Sequence, residues 1–196
     1  MTRARDVAKQ GGMTIIIPTS IAVGSGSGSV SANGLITYTG ASSISLNGCF
    51  TSTYDNYVIY WTPTVSSVSG SNLFVRVRAS GTDDTSAAYN WAGGSTTIGG
   101  TFSYTSGGSQ TAMFVGVGSY TGGNYGTTEI VVSNPAKALW TTIFSRGSGV
   151  NPSGLAQTTQ QQGSHNTASA YDGITIYQSS GTITGTARIY GYNNGA

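Results

Sequence analysis

The chain has 196 residues, enough for one domain that buries its own core without disulfide or metal staples. Charged residues make up only 7% of it, against about 25% in typical soluble domains, while glycine supplies 30 residues. The net charge of +2 leaves no basic face of the kind that displaces counterions from nucleic acid, so a nucleic-acid partner is not expected.

The first twelve residues differ from the rest of the chain. "MTRARDVAKQGG" is polar and helix-compatible as far as Gln10, and two glycines then break it. This pattern predicts an amino-terminal arm, residues 1–12, joined flexibly to a single β-sandwich domain, residues 13–196. Arg3, Arg5 and Asp6 are candidates for docking the arm on a neighbouring protein, although such termini are often free.

Beyond the arm, short apolar segments alternate with turn residues every eight to twelve positions, which is typical of sandwiches and barrels. A Gly-Ser alternation at 24–29 fits either a flexible loop or a glycine-thinned strand. The predicted fold is all-β: a two-sheet antiparallel sandwich, jelly-roll-like, with no helix in the body. The predicted strands cover residues 43–46, 57–61, 72–78, 111–117, 128–132, 139–144, 173–178 and 182–190.

Two segments indicate which side chains face the core. In "LFVRVR" the alternation places Leu73, Val75 and Val77 on one face of a strand. In "GITIYQSSGTITGTARIYGY" the isoleucines at 174, 176, 183 and 189, with Ala187, predict the apolar face of a terminal hairpin turning at "SSG".

The sequence carries little catalytic chemistry. Cys49 is the only cysteine and is expected to be a small buried hydrophobe, and His165 is the only histidine, so no zinc site can be built from these two residue types. His165 lies in polar "TTQQQGSHNTASA", which predicts a solvated side chain in a loop. Asp83 and Asp84 favour a turn over a calcium site, and Asp55 and Asp172 favour capping turns. No enzymatic activity and no cofactor are expected.

Targeting signals are also missing from the sequence. No run of about 18 apolar residues is present, and the amino terminus lacks the apolar stretch of a signal peptide. We therefore expect neither membrane insertion nor export through such a signal.

Aromatic residues are the richer signal. Tyr89 and Trp91 in "AAYNWAGG", and Tyr120 and Tyr125 in "GSYTGGNYG", lie in glycine-rich segments that predict loops. Exposed tyrosine and tryptophan rings can stack on sugars or anchor a protein contact at low entropic cost. These four residues are candidate contacts for a receptor or glycan, unless they cap the ends of their own sandwich.

Three stretches carry a family resemblance. "MTRARDVAKQGG" resembles the amino-terminal peptide of virion proteins from phages of marine bacteria, cyanophages especially, in which it precedes tail-fibre and related surface proteins. "FTSTYDNYVIYWTPTVSSVSGSNLFVRVRASGTDDTSAAYNW" is similar to the body of those proteins, and "ITIYQSSGTITGTARIYGYNNG" to their end. Together these stretches cover about two fifths of the chain.

The resemblance implies an all-β module attached to other virion proteins, assembled in the host and released by lysis. It implies a homo-oligomer, in the first place a homotrimer, with Ile189, Tyr190 and Tyr192 at the subunit interface. The chain has no repeats that would form a fibrous shaft, so it would be a short, compact part of the particle. The expected function is a tail-fibre or tail-accessory protein that contacts the host surface. A capsid-decoration protein and a carbohydrate-binding module are the alternatives.

Overall fold

The computed structural model describes residues 12–100, 102–117, 126–150 and 155–194. These residues form sixteen strands and no helix. Within these ranges there is accordingly no helix that could span a membrane. The strands are β1 (Thr14–Ile16), β2 (Ser20–Val23), β3 (Ser27–Val30), β4 (Ile36–Ala41), β5 (Ser43–Asn47), β6 (Asn56–Ser66), β7 (Asn72–Ala79), β8 (Thr82–Asp83), β9 (Tyr89–Thr97), β10 (Phe102–Gln110), β11 (Met113–Val117), β12 (Thr127–Ser133), β13 (Leu139–Val150), β14 (Ala156–Ser169), β15 (Gly173–Gln178) and β16 (Ile183–Tyr192).

The strands form two antiparallel sheets that pack face to face, which confirms the predicted sandwich. The larger sheet has ten strands in the order β10-β9-β14-β13-β12-β6-β16-β4-β3, and β1 joins it by pairing with β16. The smaller sheet has six strands in the order β11-β7-β15-β5-β2, with β8 paired to β7. The finer expectation of a jelly-roll topology stays a prediction.

The core lies between the two sheets and is built by alternation. Leu73, Val75 and Val77 of β7 are at most 1% exposed, so the predicted apolar face of this strand is confirmed. In the larger sheet, Ile130, Ile59 and Ile189 are paired across β12, β6 and β16 and are fully buried. Burying one such side chain stabilises the fold by about 1.5–3 kcal/mol. Cys49 is also fully buried, as predicted, and burial raises the pKa of its thiol to about 12.

The predicted terminal hairpin is wrong. β15 pairs with β5 and β7 in the smaller sheet, whereas β16 pairs with β6, β4 and β1 in the larger one. The residues between them cross from one sheet to the other, where the Thr182 amide donates to the Ser67 hydroxyl over 2.8 Å. Ile176 and Ile183 are both buried because their strands enter one core from opposite sides, which the apolar pattern alone does not distinguish from a hairpin.

All eight predicted strands are present, and seven further strands among the described residues were missed. The missed strands include β10 and β14, whose sequences "FSYTSGGSQ" and "AQTTQQQGSHNTAS" have little apolar alternation. Their residues are paired through backbone hydrogen bonds that are independent of side-chain polarity. Of the two interpretations of residues 24–29, the glycine-thinned strand holds from Ser27 onward.

A core substitution tests this packing. Ile59 is fully buried in the middle of β6, so Ile59→Ala should lower the free energy of unfolding by about 2–5 kcal/mol, because it leaves a cavity between β12 and β16. Urea denaturation followed by tryptophan fluorescence measures the change. Ile98→Ala is the matched control: Ile98 is 68% exposed, and its loss should cost less than about 0.5 kcal/mol. Equal effects for the two variants would contradict the assigned core.

Candidate ligand-binding site

The face of the larger sheet that points away from the smaller sheet is open to solvent near β10, and we call it the outer face. Residues directly opposite in antiparallel pairs share a face, so the strand register gives the side chains on it row by row. One row contains Tyr104, Gly94, Gln160, Arg146, Glu129 and Tyr60. The next row contains Ser106, Ala92, Gln162, Phe144, Val131 and Val58.

These two rows, together with the adjacent rows that contain Phe102 and Asn90, line a continuous trough. It consists of three adjoining depressions with volumes of about 480, 330 and 810 Å³. The middle depression shares Phe102 and Gln160 with the first and Tyr104 and Gln162 with the third. The trough therefore runs parallel to β9, with β10 along one side and β12, β13 and β14 on the other.

The small residues of β9 give the trough its depth. Ala92 and Gly94 lie between the side chains of β10 and those of β14, and the side chain over Gly94 is the Phe102 ring. A Cβ atom on Gly94 would lie 2.2 Å from Cζ of Phe102, so the phenyl ring depends on a glycine at this position. Phe102 is still 61% exposed, and Tyr104, two residues further along β10, is 66% exposed. The β10 side thus presents two aromatic rings to solvent.

Strand β14 supplies the amide side chains of the trough. Its side chains alternate, so Gln161 is buried on the inner face and its Nε2 donates to Thr105 Oγ1 over 3.2 Å. Gln160 and Gln162 point the other way and are exposed. No hydrogen bond among the described residues uses the side-chain amide of either Gln160 or Gln162. Each therefore has a donor and an acceptor free for a ligand.

A single ion pair lies in the first depression. Arg146 Nε and Nη2 donate to the two carboxylate oxygens of Glu129 over 3.1 and 3.2 Å. This bidentate contact raises the pKa of the Arg146 guanidinium, and burial together with the Glu129 charge raises the pKa of the Tyr60 phenol. The two formal charges compensate each other, which leaves this part of the trough polar but electrically balanced.

Two of the four aromatic residues predicted as receptor contacts lie on strand β9 and point toward the inner face of the sheet. Tyr89 is fully buried: its hydroxyl accepts from the Val77 amide over 3.0 Å and donates to the Asp84 carbonyl over 2.9 Å. Trp91 is half-buried, with its ring 5.4 Å from that of Phe114 in the smaller sheet. The prediction was wrong for Tyr89, because this segment is strand β9 and its odd-numbered residues face inward. Trp91 still contributes to the lining of the third depression, so its role as a contact stays a prediction.

The remaining predicted site residues fall into two groups. Tyr120 and Tyr125, like the arm residues Arg3, Arg5 and Asp6, lie outside the described residues. The predicted interface role of Ile189 is wrong, because its side chain is fully buried in the core of its own chain. Tyr190 and Tyr192 are half-buried on the outer face, Tyr190 with its ring 5.8 Å from that of Tyr60, and their role in an interface stays a prediction.

The histidine prediction was also wrong. His165 lies in strand β14, faces inward and is fully buried. Its Nδ1 lies 3.2 Å from the Tyr171 hydroxyl, and its Nε2 lies 3.4 Å from both Asp84 Oδ2 and Ser86 Oγ. A Ser-His-Asp triad needs its acid and its serine on opposite nitrogens of the ring. Here both approach the same nitrogen of a buried ring, so the arrangement is that of a structural cluster.

Electrostatics in this cluster favour a neutral histidine. Burial lowers the pKa of His165, and the nearby Asp84 carboxylate compensates for only part of this effect. Burial by itself would raise the pKa of Asp84, but hydrogen bonds from Ser86 and Tyr171 outweigh it and lower that pKa. The Asp84 carboxylate also accepts from the Ser86 amide over 2.9 Å, which is the predicted turn, whereas Asp83 lies in strand β8.

The other acids hold distant segments together. Asp83 lies 3.5 Å from Nε of the buried Arg78, and the Thr175 hydroxyl donates to it over 2.6 Å. Asp172 accepts from the Ser80 amide over 3.0 Å, and Asp55 accepts from Lys137 Nζ over 2.6 Å. Among the residues that the structure describes, no three histidine, cysteine or acidic side chains come together as a metal site would require.

The trough residues could have been found in part from the sequence. In "FSYTS" two aromatic residues alternate with hydroxyl residues, which is a strand pattern with both rings on one face. The glutamine run "QQQ" carries no comparable signal, because which glutamines face solvent depends on the pairing of β14 with β9 and β13. Comparison of the chain with protein-family models and with curated proteins gives no match. Its function must therefore be inferred from the geometry of the site.

A pH titration of stability tests the buried histidine. The folded pKa of His165 is lower than its unfolded value of about 6.5. Between these two values the unfolded chain binds more protons, so stability should rise with pH and fall as pH drops below about 6.5. Urea denaturation at pH 7 and pH 5 measures this slope, and His165→Asn should flatten it. A wild-type slope of the opposite sign, or one retained in the variant, would contradict the assignment.

Proposed function

We propose that this chain is a non-enzymatic surface protein of a phage particle, of the tail-fibre or tail-accessory kind, which binds a saccharide of the host surface through the trough. The observation that carries the binding function is the trough itself. It is open along its length and presents exposed aromatic rings on one side and unpaired amides on the other. Binding sites of this kind combine apolar contact area with a few well-placed polar groups.

The chemistry of the trough favours binding over catalysis. Hydrolysis of a glycosidic bond ordinarily requires two carboxyl groups, one on each side of the bond. Among the described residues that line the trough, Glu129 is the only acid, and both of its oxygens accept from Arg146. A carboxylate held in this way is poorly placed to donate or accept a proton during a reaction.

The assignment to a virion rests on the likeness of the sequence to phage surface proteins. A surface that is nearly free of charge and rich in serine, threonine and glycine suits a particle component that must persist in water. The arm bearing Arg3, Arg5 and Asp6 would attach the protein to another virion protein. The sandwich would then stand away from the particle with its trough accessible, as one subunit of a homotrimer.

Electron cryomicroscopy of the intact phage particle tests this assignment. We expect density for this protein around the tail, in a multiple of three copies. Particles that carry a chain lacking residues 2–12 should lose this density, while the purified truncated protein should keep its wild-type unfolding transition. Density at regular capsid positions would instead assign a decoration protein, and absence from the particle would refute the virion function.

Binding to intact host cells tests the trough. Fluorescently labelled protein should bind the cells, and polysaccharide extracted from their envelope should compete for this binding. The double variant Gln160→Ala/Gln162→Ala should bind about thirtyfold more weakly, since two lost amide contacts at about 1 kcal/mol each sum to about 2 kcal/mol. Gln157→Ala is the matched control, because Gln157 lies on the same strand but on its other face. Equal loss in both variants would rule out the trough as the site.

A further inference from the structure

The geometry of the trough points to a narrower class of ligand: we propose that it takes an uncharged oligosaccharide that lies lengthwise along β9. This inference rests on the proposed binding function. In this arrangement sugar rings pack against Phe102 and Tyr104, and their hydroxyl groups bond to Gln160 and Gln162.

The length of the trough favours an oligomer over a single sugar. Its lining on β14 extends from Thr158 to Ser164, a distance of about 20 Å at roughly 3.3 Å per strand residue. The first and the third depression each adjoin the middle one along this direction, through residues that line both. A monosaccharide would occupy one depression only, whereas a chain of several sugars would contact all three.

The side chains of the two sides match the two kinds of surface that a sugar presents. A pyranose ring has C–H groups on its faces and hydroxyl groups around its edge. The rings of Phe102 and Tyr104 offer flat apolar area at low cost in side-chain entropy. The amides of Gln160 and Gln162 each offer both a donor and an acceptor, which suits a hydroxyl group that both donates and accepts.

Charge decides between neutral and acidic saccharides. The cation that lines the trough, Arg146, is already bound at two points by Glu129. An acidic sugar would have to break this pair or lie beside the Glu129 carboxylate, and like charges at close range are unfavourable. Arg188, beyond Tyr60 in the same row, donates to the Asn33 carbonyl over 3.3 Å. No described cation is therefore placed to recognise a carboxylate or sulfate in the trough.

A peptide ligand fits this surface less well. Peptides bound to sheets gain affinity from backbone pairing at a free edge and from pockets that take alternate side chains. The floor of the trough is made of Ala92 and Gly94 within a paired strand, so its backbone groups are already used by β10 and β14. Side-chain amides, which suit a ligand rich in hydroxyl groups, supply its free hydrogen-bonding groups.

The test compares ligands by isothermal titration calorimetry with the full-length protein. The probes are neutral hexasaccharides (cellohexaose, laminarihexaose, maltohexaose and chitohexaose), the corresponding monosaccharides, and acidic hyaluronan and polygalacturonate oligomers of the same length. We expect at least one neutral hexasaccharide to bind, and its monosaccharide to bind at least about tenfold more weakly. Acidic oligomers should not bind.

Variants connect this binding to the trough. Tyr104→Ala should weaken binding of the neutral hexasaccharide about tenfold, the effect of losing one aromatic contact. Trp140→Ala is the matched control, because Trp140 is 57% exposed but lines none of the three depressions. Neutral-hexasaccharide binding that is unchanged in Tyr104→Ala, or weakened equally in both variants, would overturn the inference.

The possible failures are distinguishable. If only acidic oligomers or only monosaccharides bind, or if none of the probes binds while the protein still binds host cells through Gln160 and Gln162, this inference fails and the proposed function stands. If neither probes nor cells bind, the proposed binding function fails as well. Sedimentation velocity tests whether a second copy of the chain occupies the trough instead. If Tyr104→Ala dissociates an oligomer, the trough is an interface between copies and this inference fails.

Discussion

The unequal width of the two sheets is the constraint on which the rest of the structure depends. The larger sheet has ten strands and the smaller one six, so the smaller sheet ends at β11 while the larger sheet continues to β10. β11 packs on β13 and β14 and reaches β9. The residues of β10 are exposed on both faces, apart from a half-buried glycine. The apolar alternation that a sandwich normally needs is therefore not required in this part of the larger sheet.

Polar residues line both faces of the larger sheet near the trough, including positions that β11 covers. On the inner face, the Ser145 hydroxyl donates to the Val115 carbonyl over 2.8 Å, and Gln161 donates to Thr105. Buried polar groups that find such partners avoid most of the cost of leaving water. Ala92 and Gly94 lie on the outer face of β9, which the smaller sheet does not cover, so no packing across the core fixes the size of these residues. The trough thus results from small residues on an uncovered face beside the exposed strand β10.

The unequal width of the two sheets also determines what could be predicted from the sequence. Strands between the two sheets, such as β7 and β15, have one buried face and a clear apolar pattern, and they were predicted. Strands β9, β10 and β14 lie at the edge where the smaller sheet ends and have no such pattern, so "AAYNWAGG" and "TTQQQGSHNTASA" were interpreted as loops. The errors at Tyr89 and His165 follow from this, because a residue placed in a loop cannot be recognised as core. Long-range strand pairing places Tyr89 and His165 in the core, and a local sequence pattern carries no information about such pairing.

The trough also depends on the last strand of the chain. β16 lies inside the larger sheet, with β6 on one side and β4 and β1 on the other. The strands β6, β12 and β13 separate it from β14, and each is positioned by its pairing with the strand before it. Asn194, which follows β16, is held as well, since its amide donates to Asp55 over 3.2 Å. Pairings between such distant segments close large loops before they gain contacts, which slows folding. The larger sheet, and the outer face on it, can therefore be complete only when β16 has inserted.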